Sequence, residues 1–343
     1  MTRVAINGFG RIGRTFLRTA FGHGDFEVVA INDLGSLENL AYLLKYDSVY
    51  GRAPFAVEVA DGKLMIDGKH IAFTQERDPE KLPWGDMNID IVVESTGFYT
   101  TYEGSKKHLA AGAKRVVISA PAKDDPAAAG VDGATVLMGV NDDQLKTCQI
   151  SSNGSCTTNA TSPLVAILKE AIGIEKAILN TVHAYTSTQS LVDGPGKKDM
   201  RSGRAAALNI IPATTGAAVA TTMVHTELVG NFDGMAMRVP VPVGSVVDVT
   251  FIAKRDTTVE EINGAFRKAA ADPRWKNIFA ATDEPIVSSD IIGSRVGSIA
   301  DMSFTKVVGG NLVKVLGWYD NETSYTQTLV EHVASAARHL QAA

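Results

Sequence analysis

Apolar positions in the first half of the chain come as short unbroken runs. Arg3 to Asn7 and Val28 to Ile31 are the first two, and Ile89 to Val93, Arg115 to Ile118 and Thr135 to Val140 follow. Strands buried on both faces, as in a parallel sheet covered by helices, read this way. After the first run, Gly8, Gly10 and Gly13 lead into a helical stretch to about Phe21. Thr100 to Glu103 has the spacing of a capping box and predicts a helix through Ala111. Phe55 to Thr74 instead alternates and turns at Asp61-Gly62 and Asp67-Gly68, which predicts an antiparallel meander set into the parallel sheet.

Beyond about residue 150 the pattern changes. Ala177 to Thr186, Gly234 to Lys254 and Ser298 to Trp318 predict long strands, the last turning back at Gly309-Gly310. Thr258 and Glu261 predict a capped helix from Val259 to Ala271. Long strands followed by isolated helices point to an antiparallel sheet with helices on one side. Leu329, Val330, Val333, Ala336 and Ala337 share one face of a last helix, which needs a surface to dock on.

Composition acts mainly by exclusion. A chain of 343 residues suggests about two domains, and 45% hydrophobic with 21% charged residues excludes disorder and coiled coil. A net charge of -5 gives no global field for nucleic acid or an anionic membrane, so neither is an expected partner. No apolar run approaches the roughly 18 residues of a spanning helix, and the N-terminus enters a strand without a signal-peptide layout. Cys148 and Cys156 have neither zinc nor disulfide spacing. A reduced cytoplasmic protein without a metal site is expected.

Gly8-Phe9-Gly10-Arg11-Ile12-Gly13 satisfies G-x-G-x-x-G between a strand and a helix, and Asp33 follows Gly13 by 20 residues at the end of the next strand. That offset suits a carboxylate meeting ribose hydroxyls, while the glycines and the helix N-terminus suit a pyrophosphate. The carboxylate would repel a 2′-phosphate and Leu34 offers it no donor, so NAD is expected over NADP.

Cys156 lies in a hydroxyl-rich run, Ser151 to Asn159, ahead of a helix expected from Ala160 to Ala171. Buried structural cysteines prefer apolar neighbours, so this thiol reads as chemical, and a helix N-terminus would favour its thiolate. Pro163 offers a competing start for that helix. Cys148 reads as packing. His183, among Thr and Tyr near a strand end, is the expected base or ion-pair partner. Thr214-Thr215-Gly216 and Arg238, a charge embedded in an apolar strand, read as anion sites.

Asn7 to Arg14, Ser155 to Asn159, His183 to Thr186 and Trp318 to Glu322 together closely resemble the phosphorylating glyceraldehyde-3-phosphate dehydrogenases, over essentially the whole chain. The resemblance implies an α/β Rossmann NAD-binding domain, residues 1–154 and 322–343, and an α+β catalytic domain with a mainly antiparallel sheet, residues 155–321. It implies a homotetramer, with Thr188 to Arg204 near subunit contacts. Cys156 would be the nucleophile and His183 its partner. Gly8, Gly10, Arg11, Ile12, Gly13, Asp33, Arg77, Ser119 and Asn321 would hold NAD. Ser155, Thr157, Thr215 and Gly216 would hold inorganic phosphate, and Thr186, Thr188 and Arg238 the phosphate of glyceraldehyde 3-phosphate. The chain departs from the usual pattern at Gly154, at Gly244, at Thr323-Ser324 and at Ser202, where Arg201 and Arg204 are the neighbouring cations. Erythrose-4-phosphate dehydrogenase and a non-catalytic NAD-binding protein are the alternatives.

Overall fold

A computed structural model describes residues 1–196 and 199–341. By their contacts, the residues separate into two compact units, Met1–Gly154 with Leu329 onward, and Ser155–Thr328.

The first unit holds β1 (Thr2–Asn7), α1 (Arg11–Ala20), β2 (Phe26–Asn32), α2 (Leu37–Lys45), β3 (Tyr46–Asp47), β4 (Gly51–Arg52), β5 (Val57–Ala60), β6 (Lys63–Ile66) and β7 (Lys69–Thr74). It continues with β8 (Ile91–Glu94), α3 (Tyr102–Ala110), β9 (Arg115–Ile118), β10 (Gly133–Thr135) and β11 (Ile150–Ser152). One sheet runs in the order β10-β11-β9-β8-β1-β2-β7-β6-β5. Its centre is parallel and its β5-β6-β7 edge antiparallel. The two Asp-Gly turns make that edge: all four of their residues have positive φ, from 46° to 77°, which is the backbone a tight hairpin requires. Unbroken apolar strands fill both faces, and Leu329, Val330, Val333, Ala336 and Ala337 complete the core on one side, packed with residues of β1, α1 and α2.

The second unit holds α4 (Cys156–Ile172), β12 (Ile174–Ala184), β13 (Ile211–Thr214), α5 (Ala217–Val224), β14 (Phe232–Val239), β15 (Ser245–Ala253), α6 (Val259–Ala270), β16 (Phe279–Thr282), β17 (Ser298–Val308) and β18 (Leu312–Tyr319). The last helix, α7 (Thr323–Gln341), begins here. The sheet order is β13-β14-β12-β15-β18-β17-β16. It is mainly antiparallel, with parallel pairs at β12–β14 and β16–β17.

Four local expectations are corrected. Gly234 to Lys254 is two strands, because Pro240 and Pro242 cannot donate to a ladder and Gly244 turns the chain at φ +96°. Thr135 to Val140 is a strand only to Thr135: the Asn141 side chain takes the Leu137 N–H at 2.8 Å and gives to the Thr135 carbonyl at 2.9 Å, curling the chain into a turn. The N-cap of α3 is Thr101, not Thr100, which puts Gly104 rather than Glu103 at the third helical position. The helix after the thiol starts at Cys156 rather than Ala160, so Pro163 lies inside it rather than at its start. Among the described residues, no helix is long and apolar enough to cross a membrane.

Candidate functional site

In the first unit, the turn from β1 into α1 opens on a cleft of about 560 Å³. Gly8, Gly10, Asp33 and Arg77 line it, with Asn7 and Thr96. A Cβ on Gly8, whose φ is +94°, would lie 2.5 Å from the Thr96 nitrogen, so β1 and the Thr96 backbone approach as closely as only glycine permits. Around Gly10, by contrast, a Cβ would meet nothing within 4 Å. Gly10 caps α1 without a side-chain bond, and the first turn carries no acid, so the positive end of the helix is left for an anion. The Asp33 carboxylate is fixed by the Phe9 N–H at 2.6 Å and the Gly35 N–H at 2.8 Å, and keeps lone pairs for a ribose diol. Open backbone, helix end and held carboxylate together fit a dinucleotide.

The remaining expected cofactor residues lie outside that lining. Gly13 sits beneath the turn, where a Cβ would be 2.2 Å from the Gly8 oxygen. Ile12 packs on the core. The Arg11 guanidinium pairs with Asp47 and lies over the Tyr50 ring, 5.3 Å from its centroid. Ser119 donates its N–H to the Glu94 carbonyl at 2.9 Å. Asn321 belongs to the second unit.

A buried network under the cleft was not foreseen from sequence. Asn7 donates to Glu94 at 2.6 Å, and Asn32 donates to Asn7 at 2.7 Å. Trp84 donates to His108 Nδ1 at 3.0 Å, which puts the His108 hydrogen on Nε2, 3.0 Å from Glu94. Glu94 in turn accepts the Thr96 N–H at 2.8 Å. These partners stand as much as 87 residues apart, so no local pattern announces them.

In the second unit, Ser155 caps α4 in a reciprocal box with Thr158, at 3.1 Å and 3.3 Å. Cys156 is therefore the first helical residue. Its sulfur lies 3.4 Å from His183 Nε2, and His183 is the penultimate residue of β12. The imidazole is held on its far side by the Ala184 carbonyl, 2.7 Å from Nδ1. The Tyr319 ring packs edge-on against His183, with centroids 5.9 Å apart, and its hydroxyl bonds Thr157 at 3.0 Å and Thr181 at 2.8 Å. Sequence reasoning passed over Tyr319, although it stands two residues before Asn321.

Burial opposes the charge state that the sequence suggested. A thiolate favoured by the helix end was expected, yet burial pushes the Cys156 thiol up, against the opposing pull of the Arg238 guanidinium and of hydrogen bonds from Thr157. Burial, followed by the Arg238 charge, pushes His183 down to about 3. Desolvation thus works against the helix end at this pair. Cys148, read as packing, is buried, and burial raises its thiol to about 11.

Arg238 faces His183 because β14 runs parallel to β12 with those two residues in register. Its Nη1 lies 2.5 Å from His183 Nδ1 and 3.2 Å from the Ala184 oxygen. The Thr186 and Thr188 hydroxyls lie 2.9 Å apart. Thr215 accepts the Ala217 N–H at 3.1 Å, and Gly216 caps α5. Of the departures, Gly154 has φ +64°, a backbone that disfavours alanine. Ser324 accepts the Asp320 N–H and donates to the Ser294 carbonyl, both at 3.1 Å, which ties down the loop carrying Asn321. Ser202 donates to Asp199 at 2.6 Å, and Arg204 forms an exposed pair with Asp193 at 3.0 Å. Within the stretch from Thr188 to Arg204, Lys197 and Lys198 lie outside the described residues.

Comparison with known proteins agrees across both units. Residues 2–102 match a family model described as glyceraldehyde 3-phosphate dehydrogenase, NAD binding domain, and residues 155–321 match the corresponding C-terminal domain. Proteins named glyceraldehyde-3-phosphate dehydrogenase are similar over nearly the whole chain. That of Geobacillus stearothermophilus is 50% identical, covering 98% of each chain. That of Thermotoga maritima is 51% identical over 96% of this chain and 98% of its own. The Streptomyces coelicolor protein is 48% identical over 96% of each.

Proposed function

The chain belongs to the glyceraldehyde-3-phosphate dehydrogenase family, and we propose that its Cys156–His183 pair carries the phosphorylating oxidation of D-glyceraldehyde 3-phosphate to 1,3-bisphosphoglycerate. The protein is an NAD-dependent oxidoreductase. The observation that carries the residue assignment is the 3.4 Å approach of Cys156 Sγ to His183 Nε2 at the start of a capped helix.

Cys156 Sγ bonds to the aldehyde carbon while its proton passes to His183 Nε2, the ring nitrogen 3.4 Å from the sulfur. The imidazolium gives that proton to the developing alkoxide, and a thiohemiacetal results. NAD, when bound, supplies the hydride acceptor. His183 removes the hydroxyl proton as the carbon is oxidised to a thioester on Cys156. Inorganic phosphate attacks the thioester carbonyl, the acyl phosphate leaves and the sulfur regains its proton. Covalent capture divides one difficult step into two, and the thioester keeps the energy of oxidation.

In this reading Gly8, Gly10, Gly13, Arg11, Ile12, Asp33, Arg77 and Ser119 hold NAD, and Asn321 its nicotinamide amide. Arg11 acts from its backbone, since its guanidinium is engaged by Asp47. Ser155, Thr157, Thr215 and Gly216 take inorganic phosphate. Thr186, Thr188 and Arg238 take the substrate's phosphate, and an anion there would offset the charge now depressing His183. The proposed assembly is a homotetramer, supported by the exposed apolar residues Leu191, Val192, Met200, Leu208 and Ile210. The proposed setting is the cytoplasm, where Cys148 and Cys156 stay as free thiols.

The test is NAD reduction with glyceraldehyde 3-phosphate, with and without inorganic phosphate. Cys156→Ser is expected to lose more than about 10³-fold in kcat while NAD still binds. Appreciable turnover by that variant would refute the assignment.

A further inference from the structure

Asn321 sits between β18 and α7 with its side-chain oxygen taken twice. Gly244 donates its N–H to Oδ1 at 3.2 Å, and the Ser245 hydroxyl donates to the same oxygen at 3.0 Å. Two donors fill both lone pairs of Oδ1. A flipped amide would set its NH₂ against the Gly244 N–H, so the observed orientation is the one the backbone allows. Nδ2 is thereby committed to donating, and it can serve only an acceptor such as a carbonyl oxygen.

Gly244 cannot be varied to reach this arrangement. Its φ is +96°, and a Cβ would stand 2.5 Å from the Ser288 oxygen. Glycine at 244 therefore lets the turn bring both donors onto one oxygen.

The Ser245 hydroxyl has a second bond. It accepts the Ala184 N–H at 3.1 Å, and the carbonyl of Ala184 is the group that holds His183 Nδ1. Ala184, Ser245 and Asn321 are all buried. One hydroxyl thus accepts from the strand end carrying His183 and donates to Asn321.

We infer that Ser245 is a positioning residue that couples Asn321 to His183, setting the amide that meets the cofactor in register with the base that serves Cys156. This rests on the reading of Asn321 as a nicotinamide contact. Ser245 touches neither the substrate nor the reacting atoms and acts through its two partners. Without its hydroxyl, Asn321 keeps one donor instead of two, and the Ala184 N–H loses its acceptor.

The test is a double-mutant cycle of Ser245→Ala and Asn321→Ala in the intact enzyme. Its readouts are KM for NAD, the isotope effect with substrate deuterated at the aldehyde carbon, and the rate of Cys156 alkylation by iodoacetamide. Loss of one hydrogen bond predicts a rise of about five-fold in KM for NAD in Ser245→Ala, and a larger isotope effect as hydride transfer becomes more limiting. The Asn321→Ala background should abolish the KM effect of Ser245→Ala. Ser245→Cys, which keeps the shape with a weaker donor, should fall between serine and alanine and serves if the alanine variant does not fold. Multiplicative effects of the two substitutions on KM would overturn the coupling while leaving the Asn321 reading standing. An Asn321→Ala enzyme with unchanged KM for NAD would overturn that reading and the inference with it.

Discussion

The Arg238 guanidinium lies 2.5 Å from His183 Nδ1, on the side of the imidazole away from the Cys156 sulfur. It influences both members of the pair, and in the same direction: a fixed positive charge disfavours the imidazolium and favours the thiolate, so it lowers both pKa values.

Arg238→Gln should therefore raise both. The imidazole, held near 3 chiefly by burial and then by this charge, moves upward when the charge is removed. The pH profile of Cys156 alkylation by iodoacetamide should move to more alkaline pH, because the thiolate loses a favourable neighbour. A tenfold change in the thiol's ionisation equilibrium corresponds to about 1.4 kcal/mol. An alkylation profile that stays in place, or moves toward acid, would separate Arg238 from the pair.

The two glycines of the β1–α1 turn make opposite predictions. Gly8→Ala must place a Cβ 2.5 Å from the Thr96 nitrogen on a backbone with φ +94°, so it should cost stability, on the order of 1–3 kcal/mol, and lower Tm. Gly10→Ala meets nothing within 4 Å, and its methyl would project where the cleft is open. That variant should melt near the parent temperature yet bind NAD more weakly, by about ten-fold or more. Calorimetry and a fluorescence titration with NAD distinguish the two. Unimpaired NAD binding by Gly10→Ala would remove the turn from the cofactor site.

How far the sequence reveals this molecule depends on the range of each interaction. The glycine turn, the Asp-Gly hairpins and the Thr258 cap were legible because each is a local conformational demand written in adjacent residues. Cys156 stood out because its neighbours are polar where a packed thiol has apolar ones. Proximity across the sheet was not legible. Arg238 meets His183 through a parallel pairing over 55 residues, and Ser245 reaches Asn321 over 76. The opposing influences on the thiol differ in the same way: a helix end can be read from sequence, but the burial that works against it belongs to the folded packing.

Buried histidines give the enzyme an acid-sensitive fold. Burial is the leading cause in each case, lowering His183 and His332 to about 3 and His225 to about 4. In the unfolded chain all three titrate near 6.5. Between that value and the folded ones, the unfolded state binds protons that the folded state refuses, so stability is complete above about pH 6.5 and falls as the pH drops. Each site contributes a slope of about 1.4 kcal/mol per pH unit once the pH lies well inside its window. His332 is a clean probe, since the partners of its ring, Ser151 at 2.7 Å and Asn153 at 3.1 Å, are uncharged. His332→Gln should flatten the fall in stability between pH 6 and 4 by about one proton's worth. Denaturant unfolding at several pH values measures that slope, and proton NMR should show the parent His332 ring still neutral at pH 5. A ring that protonates near 6.5 in the folded protein, or an unchanged slope in the variant, would show that His332 does not supply this sensitivity.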